Sequence, residues 1–276
     1  MKNIAFYIPA LNSGKYLERC IQSILKIKSA GVFVIDGGSS DKTTDIAKKY
    51  NLKVIRQEGI GLAAARNTAI RHSRTEFIGF IDSDCEIDRK WLEFAYKHFK
   101  DEKVAGVCGK VIEKIQATIP DRWRKFHLRQ DWGDKKSRNP AFIYGSNLIL
   151  RLSSLKKISG FNEKYKSNYE DVDISKRLKS IGFTLIYEPK AICYHLRKDN
   201  LTSVIKTARQ WSFFSYPEPN SLANLLMRLF VYNPHQFLVF FIMELAKFKT
   251  ELLLVTLFSF FYSEYYDFSY FIKKAL

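Results

Sequence analysis

Short apolar runs and helix-spaced apolar positions alternate through the first hundred residues. "IAFYI" (4–8) is a compact apolar run that ends at Pro9. Tyr16, Leu17, Cys20, Ile21, Ile24 and Leu25 then recur at the three-and-four spacing of one helix face. "VFVID" (32–36) is a second, β-branched run; "GGSSDKTTD" follows it as a turn rich in capping residues, and a helix runs on to about Tyr50. "LKVIR" predicts a third strand, "GLAAARNTAIRH" a helix of small residues, "FIGFI" a fourth strand, and "RKWLEFAYKHF" another helix. Strands that alternate with helices through short connections predict an α/β fold with a mostly parallel central sheet. Strands this uniformly apolar suit a sheet covered on both faces.

In such sheets ligands bind beyond the carboxyl ends of the strands. Pro9, Ala10 and Asn12 follow the first strand, Asp36 ends the second, and Asp82 and Asp84 follow the fourth, so all are expected along one crevice. Past Val104 the pattern changes. "VAGVCGKVIEKI" alternates like a longer strand, and the basic, Trp-containing stretch 120–140 predicts a long loop or lid. "AFIYGSNLIL" is a further strand, "YEDVD" (169–173) opens a helix, and "LIYEP" and "AICYHL" are two closing strands.

The tail from Asp199 differs in kind. It holds 19 of the 41 Phe, Trp and Tyr residues. Its apolar runs, 237–243 and 252–262, fall short of the ~20 residues that cross a bilayer, and Asn233–Pro234 is expected to break any helix before them. Two amphipathic helices within 222–271 are the expectation, docked on a membrane surface, on the core or on another subunit. The chain therefore divides at 198. Residues 1–198 make a catalytic domain with a first half to 100 and a second half from 101, and 199–276 make a helical extension.

Charge adds a constraint. The formal net charge is +17 over 276 residues, which favours anionic partners. No RRM, KH or helix-turn-helix pattern accompanies it, so nucleic acid is not expected. The four cysteines form no CxxC pair, and the apolar run at the N-terminus is too short for a signal peptide. A reduced, cytoplasmic protein, peripheral on the cytoplasmic face of the membrane, is the expected setting.

The pair in "IDSDC" carries the most chemistry. Asp82 and Asp84 point the same way from an extended chain. At about 6.5 Å, two ionised carboxylates repel by roughly 2.5 kcal/mol at an effective dielectric near 20. A divalent cation compensates such a pair, since Mg²⁺ and Mn²⁺ take oxygen ligands and bridge carboxylates to phosphates. Capping of the next helix is the alternative use.

Five segments in order decide the context: "IPALNSGKYLERCIQSI", "VFVIDGGSSDKTTDIA", "GLAAARNTAI", "FIDSD", and "GSNLILRLSSLKKISGFNEKY" with "YEDVDISKRLKSIGF". Over residues 3–197 the chain resembles a family 2 inverting glycosyltransferase of GT-A fold. That resemblance implies a Rossmann-like sheet flanked by helices, a nucleotide-diphosphate sugar (UDP- or GDP-type) as donor, a divalent cation (Mn or Mg) and a hydroxyl acceptor, lipid-linked or glycan. By resemblance, Pro9, Ala10 and Asn12 shape the nucleotide pocket, and Asp36 accepts from the base. Arg66 meets the diphosphate or base, and Asp82 and Ser83 lie on the donor. Asp84, Asp82 and His195 hold the metal. Asp171 is the base that takes the acceptor's proton, and Glu170 orients hydroxyls. Arg129, Lys135, Lys136 and Arg138 beside Trp132 are candidates to clamp the diphosphate.

Processive members of the family carry Q-x-x-R-W. The nearest string here, "ARQW" (208–211), does not match, so transfer of one sugar or a few is expected. A sugar-1-phosphate nucleotidyltransferase would need a Gly-rich, basic loop where "PALNSGKYL" stands, and a dinucleotide oxidoreductase would need GxGxxG there.

Overall fold

The structure, a computed structural model, describes residues 3–275. Met1, Lys2 and Leu276 lie outside the described residues. The chain forms two compact units. The first comprises the chain up to Lys114 together with Gln130–Arg197, and the second Ile115–Arg129 together with the chain from Lys198 onward.

The first unit follows the alternation in the sequence: β1 (Ile4–Ala10), α1 (Leu17–Leu25), β2 (Gly31–Asp36), α2 (Thr43–Lys49), β3 (Lys53–Arg56), α3 (Leu62–His72), β4 (Phe77–Ile81), β5 (Cys85–Ile87) and α4 (Trp91–Tyr96). After β6 (Val104–Glu113) the chain leaves for α5 (Ile119–His127) in the second unit. It returns through β7 (Ser137–Arg138), β8 (Asn147–Arg151), α6 (Leu152–Lys157), α7 (Glu170–Ser180) and β9 (Thr184–His195).

Among the described residues the sheet order is β3-β2-β1-β4-β8-β6-β9-β5, with β7 on β9. β1 to β4 run parallel, as do β6 and β9, whereas β8 runs antiparallel between β4 and β6. β1 and β4 are buried along their whole length, so apolar side chains cover both faces and two separate cores form, one per face. All four cysteines are free and buried.

Three local expectations change. The closing segment is one strand, not two. Its register against β6 jumps between Gly109/Glu188 and Lys110/Ile192, and Pro189 sits in that bulge, where a residue with no N–H is tolerated. The stretch read as a loop or lid contains α5, opened by a capping box in which Thr118 and Asp121 each bond the other's backbone N–H. And Asn233–Pro234 does not break the tail.

The tail forms α8 (Leu201–Phe213), α9 (Leu222–Met227), a π-helical turn (Arg228–Tyr232), α10 (Asn233–Ala246) and α11 (Leu253–Ala275). α9, the π turn and α10 are continuous over Leu222–Ala246, 25 residues, long and apolar enough by length and composition to cross a membrane. The widened turn just before Pro234 frees the helix from the i→i−4 bond that proline cannot make.

Gly61 positions the start of α3. Its φ is +95°, and a Cβ there would stand 2.3 Å from the Lys166 carbonyl oxygen, which accepts the Leu62 N–H at 2.6 Å. This contact brings the start of α3 against the loop that leads into α7. Gly61→Ala is therefore expected to lower stability by about 1–3 kcal/mol, read as a shift of the urea midpoint.

Candidate active site

β4 is five buried apolar residues, so the chain emerges from the core at Ile81 and sets Asp82, Ser83 and Asp84 on the sheet's rim. This tip is pinned on three sides. The Asp82 N–H donates to the Ser146 carbonyl (2.9 Å), the Ser83 hydroxyl to Ser13 Oγ (2.8 Å), and the Asp84 carbonyl accepts the Leu196 N–H (2.8 Å).

The ends of β1 and β2 lie side by side, with Pro9 opposite Ile35 and Ala10 opposite Asp36. Pairing of β1 with β4 ends at Tyr7, so Pro9's missing N–H costs that ladder nothing. Asn12 takes a left-handed conformation (φ +50°). Its N–H donates to Ser39 Oγ (2.9 Å) and its Oδ1 accepts the Ser40 N–H (2.9 Å), which ties the two turns together. Asp36 is buried and accepts the N–H groups of Gly38 (3.1 Å) and Ser39 (3.2 Å). Its carboxylate shapes its own turn, and its remaining lone pairs are what it can offer a ligand.

Arg66 is where the structure departs most from expectation. The alanines of α3 let that helix press onto the sheet, and Arg66 is 0% exposed. Its guanidinium bonds Glu170 Oε1 in a charge-assisted contact, Asp82 Oδ1 at 3.3 Å and the Gly145 carbonyl at 2.9 Å. Phe80 and Phe161 flank it at 5.8 and 5.5 Å. The terminal nitrogens of the fork expected on a diphosphate or base are engaged by protein groups, and Nε has no hydrogen-bond partner among the described residues. Gly145 permits this approach, since a Cβ there would stand 2.7 Å from both terminal guanidinium nitrogens.

The same Gly145 orients Asp171, whose Oδ2 accepts the Gly145 N–H at 3.0 Å and whose Oδ1 accepts the Val172 N–H at 2.8 Å. Burial raises the Asp171 carboxyl above the ordinary aspartate range, with Arg66 and these backbone donors opposing. Burial raises Asp82 and Glu170 as well, again against the pull of Arg66. Carboxylates shifted upward in this way become stronger bases. Glu170 Oε2 is buried with no hydrogen-bond partner among the described residues.

Next to this cluster stands a second one. His195 Nε2 lies 3.2 Å from Asp84 Oδ2, and His195 Nδ1 lies 2.8 Å from Glu113 Oε2. Burial disfavours charge on the imidazole, but the carboxylates on both ring nitrogens outweigh it and raise its pKa to about 10. Burial likewise opposes ionisation of Asp84, and His195 with Arg197 overcomes that and holds it at about 2.

A carboxylate behind a histidine that faces another carboxylate is the donor arrangement that orients a metal-binding imidazole. Among the described residues no group of three His, Cys, Asp or Glu is arranged to hold a metal ion. The expected trio separates, because Asp82 is turned to Arg66 while Asp84 and His195 face each other. Asp84, with His195 once its Nε2 has given up its proton, still fits Mg²⁺ or Mn²⁺, which complete their shells with water and substrate phosphates.

The basic residues around Trp132 are differently engaged. Arg138 pairs with Asp101 at 3.0 Å from a strand on the sheet edge, Lys135 and Lys136 are exposed, and Arg129 belongs to the second unit. Trp132 instead packs with Phe142 and Tyr144, ring centroids 5.2 and 5.7 Å away, and Tyr144 directly precedes Gly145.

Glu113, Gly145, Phe142 and Tyr144 are the residues near these clusters that the sequence did not single out. A carboxylate ending a long strand, Glu113, was the one visible signal.

Replacing Arg66 by Met leaves Glu170 and Asp82 without their buried counter-charge. A loss of about 3–5 kcal/mol in unfolding free energy is expected, measured by urea denaturation, with Arg66→Lys losing less.

A family model described as glycosyl transferase family 2 matches residues 6–159. The pre-mycofactocin glycosyltransferase of Mycobacterium tuberculosis is 29% identical over 72% of this chain and 44% of its own length. The chondroitin synthase of Escherichia coli is 28% identical over 84% of this chain and 34% of its own. This chain thus spans less than half of either relative. Among solved structures, the mannosyltransferase PcManGT from Pyrobaculum calidifontis, in complex with GDP-Man and Mn²⁺, superposes with a TM-score of 0.65 at 17% identity, covering 96% of this chain and 87% of its own. TarS 1–349 of S. aureus in complex with UDP-GlcNAc gives 0.57 at 18% identity, covering 82% and 67%. With the fold, the sheet-rim aspartates and the family match in agreement, the chain belongs to glycosyl transferase family 2 and carries its GT-A fold.

Proposed function

We propose that this protein moves a sugar from a UDP- or GDP-type nucleotide-diphosphate donor to a hydroxyl acceptor, lipid-linked or glycan, with inversion at the anomeric carbon and with a divalent cation. The observation that carries this reading is the pair of adjoining clusters on the sheet rim. Asp171 and Glu170 are gathered with Asp82 on Arg66, and Asp84 stands against the Glu113-oriented His195. The donors bound by PcManGT and TarS support the choice of nucleotide class.

Asp84 and His195 would hold the cation. A bound Mn²⁺ or Mg²⁺ supplies Lewis-acid stabilisation of the departing diphosphate. The turns around Asn12 and Asp36, fixed to each other by hydrogen bonds, frame the nucleoside end.

Asp171 takes the proton of the attacking hydroxyl. Its position is set by the Gly145 amide, its basicity is raised by burial, and α7's N-terminus keeps its ionised form accessible. The unpartnered Glu170 Oε2 is suited to accept from a substrate hydroxyl beside it. Trp132, Phe142 and Tyr144 offer an apolar platform on the acceptor side of Gly145.

The test is release of nucleotide diphosphate from a panel of UDP- and GDP-sugars with and without Mn²⁺. Asp84→Ala is expected to remove the metal-dependent part of donor binding. Asp171→Asn is expected to keep donor binding by calorimetry and to slow turnover by about 10²–10⁴-fold. Transfer by Asp171→Asn at the wild-type rate would refute the assignment of the base.

A further inference from the structure

The helices of the second unit bury a small apolar cluster, Trp123, Leu128, Val204, Ala208, Leu252 and Val255, beside a set of ion pairs, and are apolar outside. Asn233 with Asp267, Phe237 with Phe260, and Glu244 with Thr256 pair α10 and α11 as an antiparallel hairpin. Its buried seam is rich in charge. Asp267, 0% exposed, accepts from Arg209, Arg228 and Asn233, and Glu244, also 0% exposed, meets His127 and Thr256, which in turn accepts from Trp123 Nε1.

The outer surface is the reverse. Among the described residues, all but five of the exposed large apolar side chains belong to this unit, the five being Leu11, Leu25, Ile60, Trp132 and Ile181. From Leu254 to Ile272 every exposed position of α11 is aliphatic or aromatic. From Leu222 to Ala246 the one polar residue that is exposed is His235. Lysines bound this surface at each end: Lys247 and Lys249 between the helices, and Lys273 and Lys274 at the end of α11.

In water the arrangement would be the opposite, with the apolar stripe inward and charge outward. A face that pairs with a second copy is a narrow seam flanked by charges, and here no exposed charge lies within Leu222–Ala246 or Leu254–Ile272. A helix of a soluble core is mostly buried, whereas only 17% of the most apolar window of Leu222–Ala246 is buried. Hydrocarbon reverses the preference. Polar groups there turn to one another inside the bundle, and lysines at the ends reach the phosphates.

We infer that the α10–α11 hairpin embeds in a lipid bilayer, its buried ion pairs serving as the internal polar contacts that a water-free surrounding demands. This inference uses residues of the second unit alone and does not depend on the catalytic reading.

The test is flotation of the full-length protein with vesicles of pure phosphatidylcholine and of phosphatidylcholine with 30% phosphatidylglycerol. The comparison is an Ile242→Glu/Phe261→Glu variant whose fold is checked by circular dichroism. Both positions are exposed, so the fold should stand. The wild type is expected to float with both vesicles and the variant to lose at least five-fold of that binding. Three results would each overturn the inference. The wild type could stay unbound and monodisperse without detergent. The variant could float as well as the wild type. Or light scattering could show a dimer in detergent that the variant dissolves, in which case a second copy covers the face.

Discussion

One buried cation organises the catalytic half. Arg66 lies out of water, where a lone guanidinium is costly to keep, and three acidic groups converge on it: Asp82 from the end of β4, Glu170 from α7 and, at longer range, Asp171. The carboxylates need the cation as much as it needs them. Burial lifts all three above their ordinary range, and Arg66 opposes that lift in each case. The end of β4 and the helix that carries the candidate base are therefore joined by charge, and Gly145 stands where a Cβ would collide with the guanidinium.

The neighbouring cluster meets the same constraint with different chemistry. Asp84 is compensated by His195, and His195 is steadied from behind by Glu113. Two acidic residues separated by a single serine thus face different positive partners, an arginine for Asp82 and an imidazole for Asp84. The mutual repulsion expected of the Asp-Ser-Asp tip is relieved by this division, even before any ion is considered.

Much of this was legible in the chain. The alternation of apolar runs gave the strands of the first half, and the position of Asp82, Asp84, Asp36 and Asn12 after strand ends gave the rim they share. What escaped had physical reasons. A guanidinium's targets cannot be read from its own neighbours in sequence, and the bonds from Arg66 to Glu170, Asp82 and Gly145 span 16 to 104 positions. Glu113 and Gly145 act through contacts with residues more than twenty positions away. α5 was hidden by its basic composition, although Thr118 and Asp121 spell its cap. Asn233–Pro234 looked like an interruption because a proline's effect depends on whether the turn before it has already widened. The tail's buried charges were visible as letters, but not the side of the helix they occupy.

Gly145 has a consequence of its own. Its amide grips Asp171 and its carbonyl grips Arg66, so a single peptide residue carries two tethers, one to each partner. Neither can shift without dragging the other. The ring cluster of Trp132, Phe142 and Tyr144 holds no such double tether, so a ring exchanged at Trp132 or Phe142 leaves the Gly145 contacts in place.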